Sequence, residues 1–115
     1  MLEKHLKYGK LYDYYGEILK KKHKDIVQQY YLQDLSLKEI SENLEITRQG
    51  VYDLLKRAEK NLERIDNKLN IIEKQGRYKD KLLIKVLSIK ENLESSNIKE
   101  KNQELEELIR LIKEL

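Results

Sequence analysis

Hydrophobic residues recur along most of this chain every three or four positions, which is the spacing of amphipathic helices. A first helix is predicted from Leu2 to about Leu19, and a second, shorter one from about His23 to Gln33. The faces that we expect these two helices to bury contain Leu11, Tyr15 and Ile18 flanked by Tyr8 and Tyr12 in the first, and Ile26, Val27, Tyr30 and Tyr31 in the second. Together the two helices would form a scaffold.

Two helix starts lie close together in the middle of the chain. Ser36 and Glu39 have the spacing of a capping box, in which the hydroxyl and the carboxylate each bind a backbone N–H that a helix start leaves unpaired. Thr47 is a second N-cap residue a few turns later. The sequence therefore predicts a helix from Leu37, a tight turn, and another helix from Arg48, which is the pattern of a helix-turn-helix.

The second of these helices carries apolar residues in alternating steps of four and three, which is a heptad seam. The seam contains Val51, Leu55, Ala58, Leu62, Ile65, Leu69 and Ile72. It predicts one long helix from Arg48 to about Gln75, roughly 40 Å in length, that ends at Gly76. The seam needs a partner, either the last helices of the chain or a second protomer, and we favour a homodimer.

Two more amphipathic helices are predicted after Gly76, separated by a polar break at Ser95, Ser96 and Asn97. The apolar faces expected to be buried contain Tyr78, Leu82, Val86, Ile89 and Leu93 in the first helix, and Leu105, Leu108, Ile112 and Leu115 in the second. Each of these faces also needs a partner surface.

Composition supports an all-α helical bundle that contains the helix-turn-helix. The chain has 115 residues, 39% of them hydrophobic and 39% charged, with four glycines and no proline, so little interrupts a helix. This length suits one domain, residues 1–115, in which the N-terminal helices and helix-turn-helix occupy 1–60 and a helix extension with a C-terminal helical hairpin occupies 61–115.

The net charge of the chain and the motifs that it lacks limit the classes of function to be considered. The net charge is only +3, from 24 Lys and Arg against 21 Asp and Glu, so any nucleic-acid footprint must be local. No cysteine, no signal peptide and no apolar run of membrane-spanning length are found, which favours a cytoplasmic protein without membrane insertion. No nucleophile elbow or phosphate-binding glycine loop is present, so we expect neither an enzyme nor a cofactor.

Metal binding is not expected either. The chain has two histidines, His5 and His23, and neither has a histidine or acidic partner at the spacing of metal ligands. We therefore interpret both as surface residues.

The residues of the helix-turn-helix carry a resemblance to known proteins. The entry Leu37-Lys38-Glu39-Ile40 and the recognition-helix start Thr47-Arg48 resemble region four of bacterial sigma factors. A closer resemblance, through Thr47 to Asp53, Tyr30-Tyr31 and Lys56-Arg57, is to the YlxM family of small bacterial helix-turn-helix proteins. Genes of that family tend to lie beside those of the signal recognition particle, so the resemblance implies a regulatory or direct role in protein targeting.

A recognition helix reads bases with the exposed side chains of its first two turns. The candidate DNA-binding residues are Arg48, Gln49, Tyr52, Asp53, Lys56 and Arg57. Arg48 suits a guanine edge and Gln49 an adenine edge. Candidate phosphate contacts are Ser36, Lys38 and Thr47, together with the basic run Lys20, Lys21 and Lys22.

Several alternatives stay open at this point. The basic run is also typical of a solvated junction between helices, and the eight tyrosines, which are able to stack on unpaired bases, also suit a core with their hydroxyls in water. Acidic residues around the recognition helix, Asp53 among them, suit a second function. In that function the chain is a protein- or RNA-interaction module that binds signal recognition particle components without sequence-specific DNA binding.

Overall fold

A computed structural model describes residues 2–94 and 98–114, and all regular secondary structure within them is helical, which confirms the all-α class. The helices are α1 (Leu2–Tyr15), α2 (Lys21–Val27), α3 (Leu37–Leu44), α4 (Arg48–Leu69), α5 (Ile71–Glu94) and α6 (Ile98–Lys113). A 3₁₀ turn, Gly16–Ile18, follows α1, and a π-helical segment, Gln28–Leu32, extends α2. The chain forms two compact units, Met1–Ile71 and Ile72–Leu115. The organisation as one domain stays a prediction.

Helix α4 is the central helix of the first unit. Val51, Ala58 and Leu62 on its heptad seam are fully buried, and Leu55 and Ile65 nearly so. The surfaces that cover this seam are α1, α2 and α3. The expectation that the last helices or a second protomer would cover it is therefore wrong, because the N-terminal helices supply the required apolar surface within the same chain.

The long helix ends earlier than its heptad pattern predicted. Asn70 adopts a left-handed conformation with φ of 51° and donates its backbone N–H to the Asp66 carbonyl, so α4 stops at Leu69. The chain then starts α5 at Ile71, and Gly76 lies inside that helix instead of ending α4. Leu69 is 40% exposed, so the buried seam stops at Ile65.

Tyrosine hydroxyls and carboxylates join α1 and the π-helical segment after α2 to α4. The three hydroxyls donate hydrogen bonds from Tyr31 to Glu59 (2.8 Å), from Tyr8 to Glu63 (2.5 Å) and from Tyr15 to Asp66 (2.6 Å). We call this set the tyrosine–carboxylate ladder. The aromatic rings are buried, as predicted for a core, but these hydroxyls bind carboxylates where the sequence suggested water.

The ladder perturbs the acid–base properties of its members. Burial, and then the hydrogen bond to a carboxylate, raises the pKa of the Tyr8 and Tyr31 hydroxyls well above its ordinary value. Glu59 is only 2% exposed and also lies 3.3 Å from the Lys4 ammonium. Hydrogen bonds from Tyr8 and Lys7 lower the pKa of the Glu63 carboxyl.

The first helix also ends earlier than predicted. Because α1 stops at Tyr15 and the 3₁₀ turn follows, Ile18 is turned outward and is 60% exposed, and Leu19 is buried in its place. A Cβ at Gly16 would lie 2.8 Å from the Tyr12 ring, so only glycine fits there without displacing that ring. The Tyr12 hydroxyl in turn accepts a hydrogen bond from the Gln28 amide at 2.6 Å.

The second unit is an antiparallel pair of helices with a polar inner side. Ser88 and Asn92 of α5 both donate to the Glu104 carboxylate on α6, at 2.7 and 2.6 Å, and Lys85 pairs with Glu107. The predicted inner faces are partly wrong: Leu82, Ile89 and Leu108 are half-buried, but exposed residues of the predicted faces are Tyr78, Val86, Leu93, Leu105 and Ile112. The polar break at 95–97 and Leu115 lie outside the described residues.

Candidate nucleic-acid interface

Both predicted helix starts have the expected cap geometry. The Ser36 hydroxyl accepts the Glu39 backbone N–H at 3.1 Å, and the Glu39 carboxylate accepts the Ser36 backbone N–H at 3.1 Å, so the capping box is complete. The Thr47 hydroxyl accepts the Gly50 N–H at 3.0 Å and starts α4 at Arg48. The predicted helix-turn-helix is therefore formed by α3 and α4.

The turn between α3 and α4 contains no glycine and uses Glu45 instead. Glu45 is in the left-handed region with φ of 56°, where its backbone N–H reaches the Ser41 carbonyl. Ile40 and Val51 are fully buried and hold the two helices together. Ile46, which follows the sharp reversal of the chain, is 40% exposed.

The opening turns of α4 present the predicted base-reading side chains to solvent. Arg48, Gln49 and Asp53 are exposed, and Tyr52 is 46% exposed. The Gln49 amide donates to the Asp53 carboxylate at 3.0 Å, so each side chain holds the other at the surface of α4. Lys56 is half-buried, lies over the Tyr52 ring at 5.4 Å and sits 3.8 Å from the Glu59 carboxylate.

The predicted phosphate contacts lie in different places. The hydroxyls of Ser36 and Thr47 are engaged as helix caps, whereas Lys38 is exposed on α3. Of the basic run, Lys21 is exposed, and Lys22 lines a cleft that also contains Asp25, Asp53 and the apolar Leu54. Lys20 lies in a different cleft, where other cations join it.

Carboxylates surround the opening of α4. Glu39, Glu42 and Glu45 are all exposed on or directly after α3. Hydrogen bonds from the backbone N–H and the hydroxyl of Ser36 lower the pKa of the Glu39 carboxyl, so this group is ionised at neutral pH. A ligand at the opening of α4 thus meets cations on α4 and anions on α3.

A second concentration of positive charge lies further along α4. A surface cleft of about 410 Å³ is lined by Lys20, His23, Arg57, Lys60, Asn61 and Arg64, which we call the basic cluster. Its lining contains four cations and no carboxylate. Only Lys20 and Arg57 were among the predicted site residues. Lys60 and Arg64 lie three and seven positions after Arg57, a helical spacing that was visible in the sequence.

His23 is not the surface residue that the sequence suggested. It is half-buried in the basic cluster, and its Nδ1 atom is buried without a hydrogen-bond partner among the described residues. Burial lowers the pKa of this imidazole, and the positive charges of Lys20 and Arg57 lower it further. His5 is likewise half-buried and lies 3.5 Å from the Asp34 carboxylate.

The described residues contain neither a metal-binding group nor a membrane-spanning helix. Within residues 2–94 and 98–114, no three histidine, cysteine or acidic side chains gather as metal ligands would. In the same residues, no helix combines the length and the apolar character needed to cross a membrane.

Comparison of the sequence with known proteins identifies its family. A family model described as "Putative helix-turn-helix protein, YlxM / p13 like" (UPF0122) matches residues 2–115. The chain belongs to the UPF0122 family. A UPF0122 protein of Thermoanaerobacter sp. (strain X514) is 43% identical over 109 residues, covering 91% of this chain and 90% of that protein. A UPF0122 protein of Listeria monocytogenes serovar 1/2a is 37% identical over 109 residues, covering 94% and 99%.

Membership in the UPF0122 family confirms the resemblance to the YlxM family. The match extends across the C-terminal helices as well, since it covers residues 2–115. The family is described by its helix-turn-helix and not by a catalytic activity. The site residues, by contrast, remain predictions.

Proposed function

We propose that this UPF0122 protein is a DNA-binding regulatory protein that inserts the opening turns of α4 into the major groove. The observation that carries the proposal is the exposure of Arg48, Gln49 and Tyr52 at the start of a helix whose opposite side is locked in the core. Two complete helix caps fix the orientation of that helix. The same arrangement supports the likeness to region four of sigma factors.

The side chains have distinct roles in this proposal. Arg48 donates to a guanine edge, and Gln49 pairs with an adenine edge once it leaves Asp53, whose carboxylate then accepts from a cytosine amino group. Tyr52 contacts a thymine methyl group or the sugar, and Lys56 and Arg57 contact the flanking phosphates. Lys38 on α3 contacts the opposite strand. The acidic residues of α3 lower the overall affinity, and the phosphate contacts make it strongly dependent on salt.

Selection from genomic DNA tests this proposal. Fragments of the source genome are bound to the purified protein at low salt, recovered and sequenced, and we expect enrichment of a short motif. Replacing Arg48 by alanine removes a bidentate contact, so we expect discrimination at one base pair to fall by about 1–3 kcal/mol and the motif to be lost. Lys10→Ala, at an exposed position on α1, serves as control. Absence of any enriched motif with the unaltered protein would contradict the regulator.

A second candidate is a protein- or RNA-interaction module of the signal recognition particle pathway. The exposed carboxylates Glu39, Glu42 and Glu45 favour it, because they lie where a DNA reader normally carries cations. Purification of the tagged protein from its own cells, with and without nuclease, separates the two functions. A protein partner that survives nuclease treatment favours the interaction module. Either function places the protein in the cytoplasm.

We further propose that the protein is a homodimer joined through the C-terminal hairpin. The hairpin directs polar side chains inward and leaves two apolar stripes at helical spacing exposed, namely Leu83, Val86 and Leu87 on α5 and Leu105, Ile109 and Ile112 on α6. Each of these side chains is between 44% and 54% exposed. A second copy that offers the same stripes would cover them in a four-helix arrangement.

Light scattering tests the dimer directly. At micromolar concentration we expect twice the protomer mass of 13.9 kDa. Changing Leu87 and Ile109 together to glutamate buries charge in the proposed interface, so we expect the mass to fall to that of one chain. Glutamate at two exposed neutral positions of the hairpin, Asn102 and Gln103, adds the same charge and is the matched control. A single-chain mass for the unaltered protein would exclude the dimer.

A further inference from the structure

We propose that the basic cluster is a second, sequence-independent contact of this protein, which grips the phosphodiester backbone of duplex DNA beside the groove that α4 reads. This inference rests on the proposed function because it takes DNA as the partner, but it does not require a specific DNA sequence. The opening turns of α4 would then recognise the bases, and the basic cluster would anchor the protein to the phosphates.

The composition of the cleft specifies an anionic ligand. Lys20, Arg57, Lys60 and Arg64 meet around one depression of about 410 Å³ whose lining includes no acidic residue. Several other cations of the first unit are placed differently: Lys4, Lys7, Lys24 and Lys56 all lie within 4.0 Å of a carboxylate. Asn61 already accepts a hydrogen bond from Arg64 at 2.7 Å, which holds that guanidinium at the cleft.

The position of the cleft along α4 specifies a backbone contact. Arg57, Lys60 and Arg64 form one stripe on the exposed side of the helix, and Asp53 and Gln49 continue that stripe toward the opening turns. At 1.5 Å per residue, Arg64 lies roughly 24 Å along the helix axis from Arg48. The major groove is only about 12 Å wide, so a helix that enters it with its first turns leaves these later residues at the phosphate rim.

Duplex DNA is a better match than a small phosphate compound. Four cations spread over two turns of α4 and the start of α2 fit successive phosphates better than a single phosphate group. The stripe also connects the cluster to side chains that suit base edges. A site for a small anion would have no use for such side chains.

The imidazole of His23 gives this contact a dependence on pH. In the free protein, burial, together with the charges of Lys20 and Arg57, lowers the pKa of His23, so the ring is neutral at pH 7. The charged groups around the cleft are those two together with Lys60 and Arg64, all of them cationic. Phosphates in the cleft offset this positive field and favour the protonated ring. Binding therefore takes up a proton, and affinity rises as pH falls.

The test uses the full chain and a 30-base-pair duplex of random sequence, with binding followed by fluorescence anisotropy across a salt series. Changing Lys60 and Arg64 together to glutamine removes two phosphate contacts. We expect the slope of log K against log salt to become shallower by about 1.8, and the affinity at 0.1 M salt to fall on the order of 10- to 60-fold. Lys10→Gln with Lys90→Gln removes the same charge at exposed positions outside the cleft and is expected to leave the slope nearly unchanged.

A pH series on the same duplex completes the test. For the unaltered protein we expect tighter binding at pH 5.5 than at pH 7.5, and we expect His23→Gln to abolish most of that difference. Equal salt slopes for the cluster variant and the control variant, or no binding of the random duplex at low salt, would overturn the inference. Cluster-dependent binding without an enriched genomic motif would instead contradict the sequence-specific regulator alone.

Discussion

Replacement of Ile40 by alanine is expected to lower the free energy of unfolding by about 2–5 kcal/mol, because this side chain is fully buried where α3 packs on α4. Removing it leaves a cavity at the centre of the helix-turn-helix, which the two capped helices cannot close by moving together. A loss of this size corresponds to a drop in melting temperature of roughly 10–40 °C.

Urea denaturation followed by tyrosine fluorescence measures this loss. All tyrosines except Tyr78 lie in the first unit, so the signal reports on the part of the molecule that contains Ile40. Ile18→Ala removes the same atoms at a position that is 60% exposed, and we expect it to change stability by no more than about 0.5 kcal/mol. Equal losses for the two variants would show that α3 does not pack as described.

Alkaline conditions are expected to destabilise the first unit through the tyrosine–carboxylate ladder. The pKa of Tyr8 and of Tyr31 is raised in the folded state by burial and by their carboxylate acceptors. The unfolded chain loses these protons near pH 10, whereas the folded chain keeps them. The stabilisation is therefore complete below about pH 10 and declines as pH rises, by at most about 1.4 kcal/mol per pH unit for each tyrosine.

Unfolding free energies measured between pH 9 and pH 11.5 test this dependence. Changing Tyr8 and Tyr31 together to phenylalanine removes both titrating groups, so we expect the decline above pH 10 to become shallower even though the variant starts from a lower stability. Tyr14→Phe, at a position that is 38% exposed, provides the control. A decline of the same steepness in the double variant would assign the alkaline effect to groups outside the ladder.

Local signals made the helix-turn-helix predictable from sequence. A serine followed by a glutamate at the capping-box spacing, and a threonine before Arg48, specify helix starts through contacts within a few residues. The structure places both helices at the predicted positions. The end of α4 was predicted wrongly because the heptad pattern continues past the left-handed Asn70, where contacts distant in sequence also meet: the Tyr15 hydroxyl donates to Asp66 and accepts the Ile71 N–H at 3.1 Å.

In the candidate site, too, the features set by local sequence patterns were predicted and those set by distant contacts were not. The exposure of Arg48 and Gln49 follows from the phase of α4 relative to its buried seam, which the sequence displays. The basic cluster depends on the junction before α2 lying against the middle of α4, and no pattern within either segment specifies that contact. The inner face of the hairpin was misjudged for a related reason, since polar pairs such as Ser88 with Glu104 occupy it.

Helix α4 has one more consequence for recognition. A single uninterrupted helix of 22 residues carries the core on one side and, on the other, the base-reading turns and most of the basic cluster, so the protein's contact surface is pre-organised before any ligand arrives. Association along that side entails little loss of backbone conformational entropy. The thermodynamic signature would accordingly be that of rigid docking, not that of folding coupled to binding.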